Sequence, residues 1–97
     1  MANGVHDKIA EALAAKKGVE YRSDKGIDVK TATQAIEVEV DPSKFKEGIR
    51  QLQGTDKNRY LAVPTRYKKE ALEATEGLKT GVMTQSGKIV KRARTHV

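Results

Sequence analysis

The chain of 97 residues contains no cysteine, which excludes disulfide bridges and thiolate zinc sites and is compatible with a reducing cytoplasm. It has no tryptophan, three tyrosines and one phenylalanine, so we do not expect base stacking to be its main way of binding nucleic acid. No apolar run approaches the roughly 20 residues of a membrane span, and no signal-peptide core is visible at the start of the chain. These absences favour a soluble cytoplasmic protein that does not enter a membrane.

Acidic residues become scarce towards the end of the chain. The net charge is +6, from 19 Lys and Arg against 13 Asp and Glu. Beyond Glu76 the charge is carried by basic residues: Lys79, Lys88, Lys91, Arg92 and Arg94. This excess favours a polyanionic partner, nucleic acid first, although a solvated lysine-rich surface explains the same charge equally well.

The length of the chain allows one hydrophobic core. We expect a single domain over residues 1–97, with flexible ends at residues 1–4 and 92–97. A chain this short buries only about 60–65% of its unfolded surface. A homodimer interface is therefore an expected supplement to the core.

The periodicity of apolar residues predicts an α/β domain with the element order α-β-β-β-α-β-α-β-β, that is, a mixed sheet flanked by helices. The predicted helices cover residues 5–17, 44–53 and 66–75. The predicted strands cover residues 19–22, 27–30, 35–40, 58–63, 78–84 and 88–90. The nearly continuous apolar run at residues 60–63 predicts a strand covered on both faces and parallel to its neighbour across a helical crossover.

Residues 26–40, GIDVKTATQAIEVEV, contain an unusual concentration of strand carboxylates. Of the two strands predicted within this segment, the one at residues 27–30 carries Asp28, and the one at residues 35–40 alternates aliphatic residues with Glu37 and Glu39, which places the two glutamates on one face. Residues two apart on a strand are separated by about 7 Å. Like charges that close are destabilising unless a cation lies between them. A bound divalent metal is the simplest explanation; the alternative is the solvated face of an edge strand whose glutamates pair with lysines.

Such a cluster suits phosphodiester hydrolysis, in which Mg²⁺ is held by a few carboxylates and retained waters. We therefore expect Asp28, Glu37 and Glu39 to hold Mg²⁺ or Mn²⁺. Glu11 on the first helix is a candidate for a fourth ligand or for a contact behind the ligands. His6 and His96 are too isolated in the sequence to predict a zinc site.

The order of these residues resembles the PD-(D/E)XK nuclease superfamily, which has the restriction-endonuclease-like fold. A helix with Glu11 is followed by strands carrying Asp28 and the EVE motif at residues 37–39, and then by a helix with Gln51 in the segment IRQLQ. Over about residues 5–63 the pattern is most similar to archaeal Holliday-junction resolvases and related small nucleases. The resemblance implies metal-binding roles for the aspartate and the first glutamate, and Gln51 is similar to a glutamine found in some members.

Glu39 departs from the resembled pattern, because the family usually has a lysine there that is thought to orient or activate the attacking water. Lys30, which shares the face of Asp28 by strand alternation, is a candidate to supply the missing charge. Alternatively, Glu39 is a further metal ligand or a general base, or the site is impaired and the protein binds without cutting. The candidate catalytic residues are Glu11, Asp28, Lys30, Glu37, Glu39 and Gln51.

The function that these residues favour is a metal-dependent DNA endonuclease, dimeric and acting on branched or otherwise structured DNA. We expect a set of basic residues to contact backbone phosphates: Lys16, Lys17, Arg22, Lys25, Lys44, Lys46 and Arg50. Two alternatives stay open. One is a non-catalytic nucleic-acid-binding or assembly protein on the same fold, and the other is a small α/β interaction module whose carboxylates are solvated.

Overall fold

The computed structural model describes residues 4–21 and 27–94, which form a five-stranded mixed sheet with helices on both faces. The helices are α1 (Val5–Lys16), α2 (Phe45–Gln51) and α3 (Lys68–Ala74). The strands, in their order across the sheet, are β1 (Val29–Lys30), β2 (Gln34–Val38), β3 (Asn58–Val63), β4 (Gly81–Thr84) and β5 (Ile89–Lys91). The prediction of an α/β domain with a mixed sheet flanked by helices is confirmed.

The middle of the sheet is parallel and its two edges are antiparallel. β3 pairs in parallel with β2 and with β4, whereas β1 and β5 pair antiparallel with β2 and β4 respectively. Residues 60–63 of β3 are all buried, as expected for a central strand covered by helices on both faces. The predicted parallel crossover is therefore confirmed, and it brings the carboxyl ends of β2, β3 and β4 to one end of the sheet.

A hydrophobic core lies on each face of the sheet. On the first face, α1 packs through Ile9 and Leu13 against alternate residues of β2, β3 and β4. On the second face, α2 packs through Phe45 and Ile49, beside Ala71 of α3, against the intervening residues of β3 and β4. β2 contributes its aliphatic side chains to the first core, so the glutamates between them face α2.

The predicted strand at residues 19–22 is wrong for the part that the structure describes. Gly18 adopts a φ of +72°, and Val19 N–H donates to Ala14 O at 2.9 Å, so these residues close α1 as a Schellman motif. Tyr21 then makes a single isolated antiparallel bridge with Val29 instead of a strand. The order over the described residues is α-β-β-α-β-α-β-β, and the remaining predicted elements are present.

The predicted second and third helices are shorter than expected because 3₁₀ turns form their ends. Such turns precede α2 (Pro42–Lys44) and α3 (Thr65–Tyr67), and a third follows α2 (Leu52–Gly54). At the first of them, Asp41 Oδ1 accepts the Ser43 N–H at 3.0 Å, in agreement with the predicted helix entry at this point.

Part of the C-terminal segment that was expected to be flexible makes defined contacts. Ala93 N–H donates to the Tyr60 hydroxyl at 3.1 Å, and Arg94 N–H donates to Lys79 O at 2.9 Å. Residues 1–3 and 95–97 lie outside the described residues. Within the described ranges, the helices are too short and too polar for any of them to cross a membrane.

Candidate functional site

Three carboxylates meet near the carboxyl end of β2. Glu37 is in register with Leu61 of β3, whose side chain belongs to the core beneath α2 and α3, so Glu37 faces those helices. Glu39 follows directly after β2 and approaches the same helix. Asp28 directly precedes β1, and its backbone N–H donates to Glu37 Oε1 at 3.4 Å. The prediction that the two glutamates share a face is confirmed, and the β1–β2 hairpin brings Asp28 beside them.

The close approach of α2 to the two glutamates depends on Gly48. A Cβ atom built on this residue would lie 2.8 Å from Glu39 Cγ and 3.2 Å from Glu37 Cγ. The first separation is shorter than real Cβ contacts allow, so only glycine fits without movement of a neighbour. Glycine in a helix interior costs about 1 kcal/mol relative to alanine. Gly48 therefore lowers the intrinsic stability of the helix at the position where the side chains of Glu37 and Glu39 approach it.

Asp28 is buried and has fixed partners. Its Oδ2 atom accepts the Val38 N–H at 2.9 Å and lies 3.1 Å from His6 Nε2. These contacts join the residue before β1 to the end of β2 and to the start of α1. The orientation of this carboxylate is therefore set by three elements.

Burial disfavours the charged forms of all three acids, and repulsion by neighbouring acids adds to this effect at the two glutamates. Burial, together with the charges of Asp28 and Glu39, raises the pKa of Glu37 to about 8. Burial is also the main cause that raises the pKa of Glu39 to about 7, and Asp28 and Glu47 add to this effect. Burial raises the pKa of Asp28 as well, although its hydrogen bonds act in the opposite direction. A cation among these groups would relieve the cost of their ionisation.

Within residues 4–21 and 27–94, no lysine or arginine forms a salt bridge with any of the three carboxylates. Among the described contacts, His6 Nδ1 lies 3.4 Å from Asp7 Oδ1, His6 Nε2 lies 3.1 Å from Asp28 Oδ2, and Lys44 pairs with Glu47 at 3.9 Å. In the same ranges, no group of three or more Asp, Glu or His side chains is close enough together to hold a metal ion as the side chains stand. The three carboxylates are therefore an open cluster that, as the side chains stand, is not a formed metal site.

The start of α1 supplies a chain of polar contacts behind Asp28. The Tyr21 hydroxyl donates to Asp7 Oδ1 at 2.5 Å, and His6 Nδ1 lies 3.4 Å from the same oxygen. Burial and the hydrogen bond to Asp7 raise the pKa of Tyr21, and the charge of Glu11 adds to this effect. Glu11, the candidate fourth ligand, is an exposed residue of α1, and it is His6 that contacts Asp28 from this helix.

Lys30 does not lie on the face of Asp28 in the way that strand alternation predicted. β1 begins only at Val29, so the alternation does not extend back to the aspartate: Asp28 is buried, whereas Lys30 is exposed. Lys30 lines a shallow pocket with Val19 and Glu20. The structure therefore does not bring this lysine to the carboxylates.

Gln51 is the last residue of α2 and is exposed. It lies one helical turn after Gly48, so its backbone is on the side of the helix that approaches the glutamates. Together with Glu47 and Arg50 it lines a polar pocket. A role for Gln51 in the site stays a prediction.

The predicted phosphate-contacting residues are spread over both faces of the sheet. Lys16 and Lys17 lie at the end of α1 on the first face, where Lys16 Nζ donates to Ser86 O at 2.7 Å. Three members are exposed on α2 or in the turn before it: Lys44, Lys46 and Arg50. Two members lie outside the described residues: Arg22 and Lys25.

Sequence reasoning missed His6 and Gly48. His6 and Asp28 are separated by 22 residues, and no local pattern connects them. Gly48 did leave a usable signal, since an isolated glycine within a helical pattern lowers helix stability and therefore indicates a packing requirement.

Comparison of the chain with protein-family models, with curated proteins and with solved structures finds no match.

Proposed function

We propose that this protein is a Mg²⁺- or Mn²⁺-dependent DNA endonuclease with a restriction-endonuclease-like fold, in which Asp28, Glu37 and Glu39 hold the metal ion. The observation that carries the proposal is the clustering of these three acids beside the carboxyl end of a parallel strand, two of them buried, without a lysine or arginine partner in the described ranges. Ligand sites in open α/β sheets lie at this end of the strands.

The donor set fits a hard divalent cation. Carboxylate oxygens are the ligands that Mg²⁺ and Mn²⁺ prefer. Mg²⁺ usually retains several waters and is bound through one or two carboxylates, so it does not require all three acids to converge. Asp28 and Glu37 are the principal ligands in this proposal, since a hydrogen bond from the backbone of one to the side chain of the other keeps them adjacent.

A metal ion bound here would supply a nucleophilic hydroxide and stabilise charge on the phosphate oxygens. The protein's own residues orient the reacting groups. Val38 N–H and His6 fix one oxygen of Asp28 and leave the other available for a ligand. Glu39 is less buried than Glu37, so its carboxylate lies between the buried acids and solvent, where it can orient a water molecule.

The arrangement of elements supports the same proposal. A β1–β2 hairpin carrying the acids is joined through α2 to the parallel strand β3, and α1 lies behind the hairpin. This is the element order on which the resemblance to the PD-(D/E)XK nucleases rests. The net charge of +6 supports DNA as the partner, and the absence of cysteine agrees with a cytoplasmic location.

The proposal includes a homodimer, because two copies of one site are needed to cut two strands of a branched DNA together. Four apolar side chains in separate segments of the chain are exposed and available to such an interface: Val5, Leu72, Leu78 and Ile89.

Calorimetric titration with Mn²⁺ at pH 8 tests the metal site without requiring activity. We expect saturable binding by the wild-type protein and at least tenfold weaker binding by Asp28→Asn and by Glu37→Gln. Glu73→Gln, an exposed acid on α3, is the matched control and should bind as the wild type does. Equal affinity in all four proteins would refute the metal site.

A cleavage panel then separates an enzyme from a binding protein. Supercoiled plasmid, linear duplex and a four-way junction are incubated with Mg²⁺ or Mn²⁺, and Asp28→Asn is the negative control. The non-catalytic alternative is favoured by one observation, the glutamate at position 39 with Lys30 exposed away from the cluster. Binding of the junction without cleavage of any substrate would support that alternative.

A further inference from the structure

We infer that three basic residues directly after β3, Arg66, Lys68 and Lys69, hold the DNA backbone next to the carboxylates; we call them the post-β3 basic cluster. The inference rests on the proposed function and specifies where its nucleic acid lies. None of the three is among the phosphate contacts that the sequence predicted.

Strand register places this cluster at the same end of the sheet as the acids. Val38 is in register with Ala62, and Glu39 N–H donates to Ala62 O at 3.0 Å. Pro64 therefore lies beside the residues that follow Glu39, and Arg66 follows two residues later. Neighbouring strands are about 4.8 Å apart, so the backbone of the cluster lies on the order of 10 Å from Glu39.

The cluster also lies on the same face of the sheet as the acids. The helix that it opens, α3, packs through Ala71 into the core shared with Phe45 and Ile49 of α2. α2 in turn approaches Glu39 at Gly48. A single surface can therefore contact the cluster and the carboxylates together.

The three side chains are available to a ligand. All are exposed, and within residues 4–21 and 27–94 none forms a salt bridge, although Glu70 follows them directly. The guanidinium carbon of Arg66 lies 5.0 Å from the centre of the Tyr67 ring, and Tyr67 packs against the second core. Tyr67 thus holds the Arg66 side chain through a cation–π contact, while the guanidinium remains exposed to solvent.

The positive charge of the post-β3 basic cluster offsets the repulsion between the carboxylates and DNA phosphates. Carboxylates without a metal ion repel phosphate, so a substrate must be attracted by positive charge nearby. Residues 64–69 carry three positive charges and no negative charge. A separation on the order of 10 Å lets one stretch of DNA backbone contact the cluster while a neighbouring phosphate lies at the carboxylates.

Fluorescence anisotropy of a labelled 30-base-pair duplex, measured in EDTA to prevent cleavage, tests the inference. The variant is Arg66→Ala/Lys68→Ala/Lys69→Ala. The matched control, Lys79→Ala/Arg92→Ala/Arg94→Ala, removes the same charge from exposed residues at the opposite end of the sheet, before β4 and after β5. Circular dichroism and thermal unfolding verify that both variants remain folded.

We expect the post-β3 variant to bind at least about 30-fold more weakly at 100 mM salt, and the slope of log K against log salt concentration to decrease by about 2 to 3. The control should lose less than about fivefold, because it removes no direct phosphate contact. Equal losses in the two variants, or no loss in the first, would overturn the inference alone. A wild-type protein that binds neither the duplex nor a four-way junction at 20 mM salt, in EDTA or with Ca²⁺ in its place, would overturn the inference together with the proposed function.

Discussion

At the scale of a single residue, Glu37 is a buried acid that the stability of the fold does not explain. It is only 5% exposed, its neighbours are acidic, and the one hydrogen bond that the structure gives its carboxylate comes from Asp28 N–H at 3.4 Å. Burying a carboxylate without a counter-charge is costly. A leucine or valine at this position would fit the core on the α2 face better, so stability alone does not explain the glutamate.

The unfolding free energy of the metal-free protein should therefore fall as the pH rises. The pKa of Glu37 is raised from 4.5 to about 8 in the folded state, so its stabilising protonated form is fully present below pH 4.5 and is lost as the pH approaches 8. Each pKa unit is worth about 1.4 kcal/mol, and the loss should amount to a few kcal/mol.

Denaturant unfolding in EDTA at pH 5, 7 and 9 measures this loss. Glu37→Gln, which mimics the protonated acid, should lose much less stability over the same range and should be the more stable protein at pH 9. Parallel curves for the two proteins would show that Glu37 ionises in the folded state without a penalty.

Gly48→Ala should weaken metal binding while changing stability little. Alanine gains about 1 kcal/mol of helix propensity, but its methyl group would meet Glu39 Cγ at 2.8 Å and move the partly exposed glutamate aside. We expect a loss of at least tenfold in Mn²⁺ affinity by calorimetry. Gly54→Ala, whose methyl group would meet no atom within 4 Å, should bind Mn²⁺ like the wild type; unchanged affinity in Gly48→Ala would contradict the account.

The sequence predicted the acids of the cluster but not the contacts that hold them. Alternation along β2 was sufficient to place Glu37 and Glu39 on one face, because side-chain direction in a strand follows directly from spacing. The contact between His6 and Asp28 joins residues far apart in the sequence and was not predictable in this way. The expected position of Lys30 differs for another reason: alternation holds only within a strand, and β1 starts after Asp28.

At the scale of elements, the parallel pairing at the centre of the sheet was the feature that the sequence predicted most directly. The apolar run at residues 60–63 is long enough to cover both faces of a strand, and helices of suitable length precede and follow it. The strand expected at residues 19–22 failed because Gly18 and Val19 complete the C-terminus of α1, which leaves Tyr21 with a single bridge. At Gly18 and Val19 the backbone hydrogen bonds that close α1 take the place of strand pairing.

The edge of the sheet at β4 and β5 depends on a second glycine. A Cβ atom on Gly81 would lie 2.5 Å from both Ala93 N and Lys91 O, which are backbone atoms that cannot rotate away. Gly81→Ala should therefore destabilise the protein by about 3 kcal/mol or more, measured by denaturant unfolding. Gly4→Ala, where the added methyl group meets nothing within 4 Å, is the control; a loss below about 1 kcal/mol in Gly81→Ala would show that the edge repacks.

At the scale of the whole molecule, three acids are gathered at one end of the sheet of a chain that is basic overall. A chain with a net charge of +6 gathers three acids near the carboxyl end of β2 and carries exposed basic residues around them on the second face. Composition alone left a polyanionic partner and a solvated lysine-rich surface equally open, and it is the topology that indicates which basic residues lie near the acids. The proposed metal ion links the two charge distributions, because it converts a surface that repels phosphate at its centre into one that attracts it.

An anomalous difference map from a crystal soaked in Mn²⁺ at pH 8 tests the central claim most directly. The account predicts a peak between Asp28 and Glu37, about 2.1 Å from oxygens of both carboxylates, which disappears in a crystal of Glu37→Gln. A map without a peak at this position, or with manganese bound only to exposed acids such as Glu47, would contradict it.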